Sequence, residues 1–210
     1  MRRTEKAEDL LRQGLDAVGL PYASSQVDSF LTYLAELEKW NRVHNLTGFR
    51  TAREIVAKNF LDSLLFLKVL PPTVTSVADI GSGAGFPGIP IGIMRPDLRI
   101  ILVEPAQKKS VFLRHICHML QLRNIGVLDK RIEEISGVKV DAVVTRALFT
   151  VAEFISRAGH LLSENGVLIL SKGLKVREEL GELDGIPVEV HDLELPIEKV
   201  TRHLVVVKKK

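Results

Sequence analysis

The sequence predicts a doubly wound α/β fold, a mostly parallel sheet with helices on both faces, preceded by a helical extension. Three observations carry that expectation. Residues 77 to 93, V-A-D-I-G-S-G-A-G-F-P-G-I-P-I-G-I, pass from a β-branched apolar segment through an acid and three alternate glycines into an apolar stretch with helical spacing, which reads as strand, tight turn and helix. From Pro72 onward strand-like and helix-like segments alternate, which places ligands outside the carboxyl ends of the strands. Residues 1 to 70 carry helix signals and almost no strand signals. The expected organisation is an extension over 1 to 70 and a sheet domain over 71 to 210, packed as one globular unit. With 46% hydrophobic residues, a 210-residue chain has enough apolar surface for one well-buried core.

In chain order, Thr4 caps a first helix with Leu10, Leu11, Leu15 and Val18 on one side, ending at Gly19 and Pro21. Ser24 or Ser25 opens a second, whose Val27, Phe30, Leu31, Leu34 and Leu37 have the spacing of a buried face. Thr51 and Glu54 form a capping box for a third, with Ile55, Phe60, Leu61, Leu64 and Leu65 inward and a stop at Pro71-Pro72. Between the second and third lies W-N-R-V-H-N-L-T-G-F-R, residues 40 to 50. Its first reading is a capped connector anchored by Trp40, its second a nucleic-acid contact. Strands are expected at 74 to 80, 99 to 104, 125 to 129, 140 to 145, 166 to 171, 187 to 193 and 203 to 208. The last two leave little room for a helix between them and form an antiparallel pair at one edge. A helix over 107 to 122 turns Val111, Phe112, Ile116 and Met119 inward. The terminal Lys208-Lys209-Lys210 is too short for a low-complexity tract.

The glycine loop is the expected cofactor site, since glycine permits positive φ and lets backbone lie against a ligand with no Cβ in the way. Gly83-x-Gly85-x-x-Gly88 matches the dinucleotide fingerprint literally, but that pattern begins at the strand end, here just before Gly81. Started at Gly81, its third glycine falls on Phe86, and Pro87 and Pro90 remove donors a pyrophosphate needs. The alternative, D-x-G-x-G-x-G from Asp79 through Gly81 and Gly83, resembles motif I of S-adenosylmethionine (SAM) dependent methyltransferases.

Composition narrows the partners. Lys+Arg 29 against Asp+Glu 26 gives +3, which permits nucleic acid without demanding it and makes any basic surface local. The single cysteine, Cys117, excludes an internal disulfide framework and a cysteine-rich zinc site, and no metal is expected. The first residues are charged without an apolar core, and no run of roughly eighteen apolar residues occurs. The expected home is the cytoplasm, with no membrane partner. No G-x-S-x-G, P-loop, H-E-x-x-H or N-P-P-[YF] element is present.

Several residues carry candidate chemistry. Glu104 closes the second strand, where a carboxylate can accept hydrogen bonds from both hydroxyls of a ribose, in NAD and SAM enzymes alike. Lys108 and Lys109 stand at a helix N-terminus, where they oppose the dipole; phosphate binding and a solvated face are equal readings. Ile132-Glu133 falls where a loop can close over an adenine ring. Arg146 ends the fourth strand and Lys172 the fifth, so both project from the same crevice and favour a phosphate-bearing substrate. Cys117 and His118 read as a small buried residue and a rim histidine.

With these residues in place, the chain resembles the glucose-inhibited division protein B family, the bacterial small-subunit (16S) rRNA guanine-N7 methyltransferases. The likeness rests on K-W-N-R-V-H-N-L-T around Trp40, L-D-S at Leu61 to Ser63, D-I-G-S-G-A-G-F-P-G-I-P at Asp79 to Pro90, K-K at Lys108, R-I-E-E at Arg131, T-R-A at Thr145, K-G at Lys172 and R-H-L-V-V-V-K at Arg202. Two positions depart from the family pattern: Asn59 stands where a histidine is usual, and Glu104-Pro105 where aspartate and serine are usual. The resemblance implies a Rossmann-like class I methyltransferase with a seven-stranded sheet, monomeric, using SAM on 16S rRNA or the small ribosomal subunit. It implies SAM contacts at Gly81, Phe86, Ile132, Glu133 and Arg146, to which the residue reading adds Asp79, Gly83 and Glu104. It implies an RNA-facing set of Lys108, Lys109, Arg131, Arg146, Lys172 and Arg202, with Arg146 positioning the target nucleotide. Guanine N7 presents a lone pair, so no general base is expected. A small-molecule SAM methyltransferase, an NAD-dependent dehydrogenase and a non-catalytic nucleotide-sensing RNA-binding module are the other readings.

Overall fold

The computed structural model describes residues 2–146, 148–173, 176–180 and 186–209; Ala147 and Lys210, each part of a motif noted above, lie outside them. Among the described residues, seven strands form one sheet in the order β3-β2-β1-β4-β5-β7-β6. They are β1 (Ser76–Ile80), β2 (Arg99–Val103), β3 (Ile125–Leu128), β4 (Val140–Arg146), β5 (Leu162–Lys172), β6 (Val188–Leu195) and β7 (Val200–Lys208). The first five pair in parallel, and β7 runs antiparallel to both β5 and β6. Strand order reverses between β1 and β4, which makes their carboxyl ends the topological switch point. The last two strands do pair as antiparallel neighbours, yet only β6 is at the edge. β7, carrying the continuous apolar run Leu204 to Val207, is covered on both faces and sits inside.

Period-two alternation sorts the strand residues into two cores. Val77, Ile100, Leu102, Ala142, Val144, Ile169, Leu204 and Val206 face one cluster. Ala78, Ile80, Val103, Val143, Leu168, Leu170, Val205 and Val207 face the other. Helix α7 (Val151–Ala158), with Phe154 fully buried, covers the second face. Helix α5 (Gly88–Met94), through Ile89 and Ile91, and helix α6 (Gln107–Met119), through Phe112, Leu113, Ile116 and Cys117, cover the first. Val111 and Met119 are 46% and 48% exposed, against the expectation that they point inward. The helical rotation that buries Phe112 and Leu113 as adjacent residues carries Val111 nearly opposite that face.

The N-terminal helices share the first core. Helix α1 (Arg2–Val18) starts before Thr4, so Thr4 lies within it rather than capping it. Helix α2 (Ser24–His44) begins at the first of the two expected serines. The third helix opens as read, Glu54 N–H donating to Thr51 Oγ1 at 3.2 Å and Thr51 N–H to Glu54 Oε2 at 3.2 Å. It is not uniform beyond that point. After α3 (Ala52–Ile55) come a π-helical segment, Val56–Leu61, then α4 (Asp62–Leu64) and a 3-10 turn, Leu65–Lys68. The wider π turn brings the Lys58 carbonyl, Asn59 and Asp62 round to one acceptor set. Tyr33 of α2 lies against Phe60 and Phe86, with ring centroids 5.2 and 5.5 Å away, and its hydroxyl donates to the Ala84 carbonyl. The extension thereby grips the glycine loop.

Candidate active site

The glycine loop lies at the switch point. Gly81, Gly83 and Gly85 have φ of +70°, +60° and +104°, a conformation that L side chains rarely adopt. A Cβ at Gly81 would meet Leu148 Cδ2 at 2.4 Å, whereas one at Gly83 would meet only the Gly81 carbonyl at 3.9 Å. Asp79 is fully buried, and its Oδ2 accepts the Gly88 N–H at 2.8 Å. Burial pushes its carboxyl up to about 7, against the opposing pull of that N–H and of Arg146. Its Oδ1 is buried with no hydrogen-bond partner among the described residues.

Glu104 closes the loop from β2. Its Oε2 accepts Gly83 N–H and its Oε1 accepts Ala106 N–H, both at 2.9 Å, and the residue is 5% exposed. Ile132, on the 3-10 turn Ile132–Glu134, is buried among Ile80 and Val103. Glu133 instead faces solvent and pairs with Arg157 at 2.6 Å.

Arg146 links the loop to a second feature. Alternation along β4 sends it to the face of Ala142 and Val144, under the π-helical segment. There its guanidinium donates to the Lys58 carbonyl at 2.9 Å, to Asn59 Oδ1 at 2.7 Å and to Asp62 Oδ2 at 3.3 Å. It lies 5.3 Å from the centre of the Phe86 ring. Arg202, on the same face of β7, donates to Asp62 Oδ1 at 2.6 Å. Phe49, Lys58, Asp62, Arg146, Ser171, Lys172, Gly173 and Arg202 border a cavity of about 350 Å³.

The expected cations therefore divide. Arg146 and Arg202 share the cavity. Lys172 touches it, but alternation along β5 turns the ammonium to the other face, where it donates to the Phe149 carbonyl at 2.7 Å and pairs with Glu179 at 2.8 Å. Lys108 and Arg131 are exposed and Lys109 half-buried, on the β2–β3 side of the same carboxyl edge and outside the cavity. Cys117 is 9% exposed, its thiol pushed up to about 12 by burial, which leaves no thiolate for nucleophilic work. Asp62, Asn59 and Lys58 had no assigned role in the sequence, and Phe49 only that of the stretch from 40 to 50. The available signal was Asp62 itself, an acid among the apolar residues of a buried helix, which needs a cationic partner.

The family model described as GidB, rRNA small subunit methyltransferase G, matches residues 26–204. The chain belongs to this family. It is 36% identical over 212 residues to the ribosomal RNA small subunit methyltransferase G of Neisseria meningitidis serogroup C / serotype 2a, covering 100% of both chains. Among solved structures it resembles a methyltransferase from Geobacter sulfurreducens, with TM-score 0.62, 16% identity and coverage of 90% of this chain and 93% of that one. TYW2 from M. jannaschii, solved in complex with AdoMet, is similar with TM-score 0.53 at 16% identity, covering 71% of this chain and 74% of that one. Membership in the GidB family and the sheet order together establish a Rossmann-like class I methyltransferase fold and methyltransferase activity on rRNA as the family's work. No described helix is long and apolar enough to cross a membrane.

Proposed function

We propose that this GidB-family chain transfers a methyl group from SAM to N7 of a guanine in 16S rRNA, acting as a monomer in which extension and sheet work as one unit. One observation carries the reading: Arg146 stands over Phe86 of the glycine loop and also lines the cation-bearing cavity, so a cofactor site and a substrate site meet at one side chain. The name of the Neisseria relative and the AdoMet bound to TYW2 support the same substrate and cofactor.

The loop fits SAM. The buried Oδ1 of Asp79, without a hydrogen-bond partner among the described residues, leaves a polar oxygen open to a ligand group, and Gly83 leaves open space above the turn. SAM supplies an electrophilic methyl carbon. Gly81 and Gly83 give backbone access, Glu104 accepts from the ribose through its remaining lone pairs, and Ile132 offers an apolar wall beside Glu133. Arg146 orients the target nucleotide. Guanine N7 carries no proton to remove, and among the described residues the carboxylate lining the cavity, Asp62, is held by two arginines. Lys108, Lys109, Arg131 and Arg202 are the residues that contact RNA phosphate, while Lys172, expected among them, spends its charge on Glu179 and the Phe149 carbonyl.

Incubation with isotope-labelled SAM and ribosomal RNA or particles, followed by nucleoside analysis, tests the proposal. Label in 7-methylguanosine supports it. Binding of NAD in place of SAM, or transfer to small molecules alone, overturns it.

A further inference from the structure

We infer that Phe49 is the surface on which the target base stacks after leaving its RNA stack. The inference rests on the RNA-methylation reading and can fail separately from it. Six of the eight phenylalanines, Phe30, Phe60, Phe66, Phe86, Phe112 and Phe154, are at most 4% exposed. Phe149 is covered by Phe154, stacked at 5.8 Å, and by the Arg157 guanidinium at 5.5 Å. Phe49 differs. Its ring is half-buried and forms a wall of the cavity that holds Arg146 and Arg202, and the Lys58 ammonium is 5.6 Å from its centre.

The ring packs at the border of the first core and also lines the charged cavity, and its backbone is held firmly. Asn41, 4% exposed, accepts the Thr47 N–H through Oδ1 at 2.9 Å and donates from Nδ2 to the Phe49 carbonyl at 3.1 Å. The Phe49 N–H donates to Thr47 Oγ1 at 3.3 Å, and the next two amides, of Arg50 and Thr51, donate to Glu54 Oε2. The stretch expected to be a connector over 40 to 50 instead begins as the last turn of α2, to His44, and only residues 45 to 51 connect; together they hold a preorganised aromatic face, the element that single-stranded bases use for stacking. A cavity of about 350 Å³ lies at the small end of ligand sites, with room for one nucleotide rather than a duplex. Arg146 and Lys58 both line this cavity, Lys58 also lying 3.6 Å from Glu198, so the base edge and its phosphate each meet a cation there.

The test separates a stacking face from mere bulk. Phe49→Leu keeps apolar volume and loses the π face; Phe49→Trp keeps a face. In methyl transfer from SAM to small-subunit particles, Phe49→Leu should lose roughly 5- to 150-fold in kcat/KM for the particle, the range of one base stack on an aromatic residue, with SAM affinity unchanged. Phe49→Trp should stay within about threefold of wild type, and its added indole emission should be quenched as rRNA binds. Equal activity of Phe49→Leu and wild type, equal loss in the Leu and Trp variants, or emission unmoved by RNA would overturn the inference. A wild-type chain that makes no methylguanosine would overturn the underlying reading as well.

Discussion

Asp62 and Arg202, 140 residues apart in sequence, form a hydrogen-bonded ion pair at 2.6 Å. The other oxygen of the same carboxylate reaches Arg146 at 3.3 Å, so one acid, 5% exposed at its side chain, fixes the spacing of both cavity arginines. Asp62 is thereby a positioning residue. Asp62→Asn keeps the shape and removes the charge. Steady-state kinetics should show at least about a tenfold loss in kcat/KM for rRNA with SAM affinity retained, and denaturant unfolding a loss of about 1–3 kcal/mol, as for other charged hydrogen bonds. Full activity would show that the arginines find their geometry without the acid.

Asp79 makes stability depend on pH. Its folded-state value of about 7 lies above the ordinary 3.8, so the folded chain holds a proton that the unfolded chain has released. The associated stability is complete below about 3.8, is lost as pH rises to about 7 and changes no further above it. At about 1.4 kcal/mol per pH unit the loss is no more than about 4 kcal/mol. Asp79→Asn, which retains an acceptor for Gly88 N–H, should flatten this slope. Urea unfolding of both proteins at pH 5 and pH 8 checks it, and parallel curves would contradict it.

The lysines separate by partner. Lys108 and Lys109 carry no ion pair among the described residues, so replacing either by alanine should lower the slope of log affinity for rRNA against log salt by roughly 0.7 to 0.9. Lys172 is 11% exposed and spends its charge on Glu179 and the Phe149 carbonyl. Lys172→Ala should cost about 1–3 kcal/mol of stability and leave the slope nearly unchanged. A slope change as large as that of Lys108→Ala would place Lys172 on the RNA.

Local chemistry was legible and long-range pairing was not. Alternate glycines after a strand-end acid located the turn, because glycine adopts the φ of +70° seen at Gly81 without the steric cost a side chain brings, and strand–helix alternation accounted for the parallel half of the sheet. The sequence also put Arg146 and Lys172 in one crevice. It could not separate them, since the faces of β4 and β5 depend on register, and register put Arg146 opposite Ser171 rather than Lys172. The π turn at Val56–Leu61 left no trace in a pattern read at 3.6 residues per turn, so Asn59 and Asp62 had no visible partners. Asn59 proves to hold Arg146 through its side-chain carbonyl oxygen at 2.7 Å.

The most direct test of the account asks which atom receives the methyl group. Small-subunit rRNA treated with this chain and SAM is reduced with borohydride and cleaved with aniline, a sequence that breaks RNA at 7-methylguanosine. The account predicts one new cut, at a guanosine, absent with Arg146→Ala and retained with Cys117→Ser. Methyl groups found instead on carbon 5 of cytidine or on N6 of adenosine, or no methyl group at all, would contradict it.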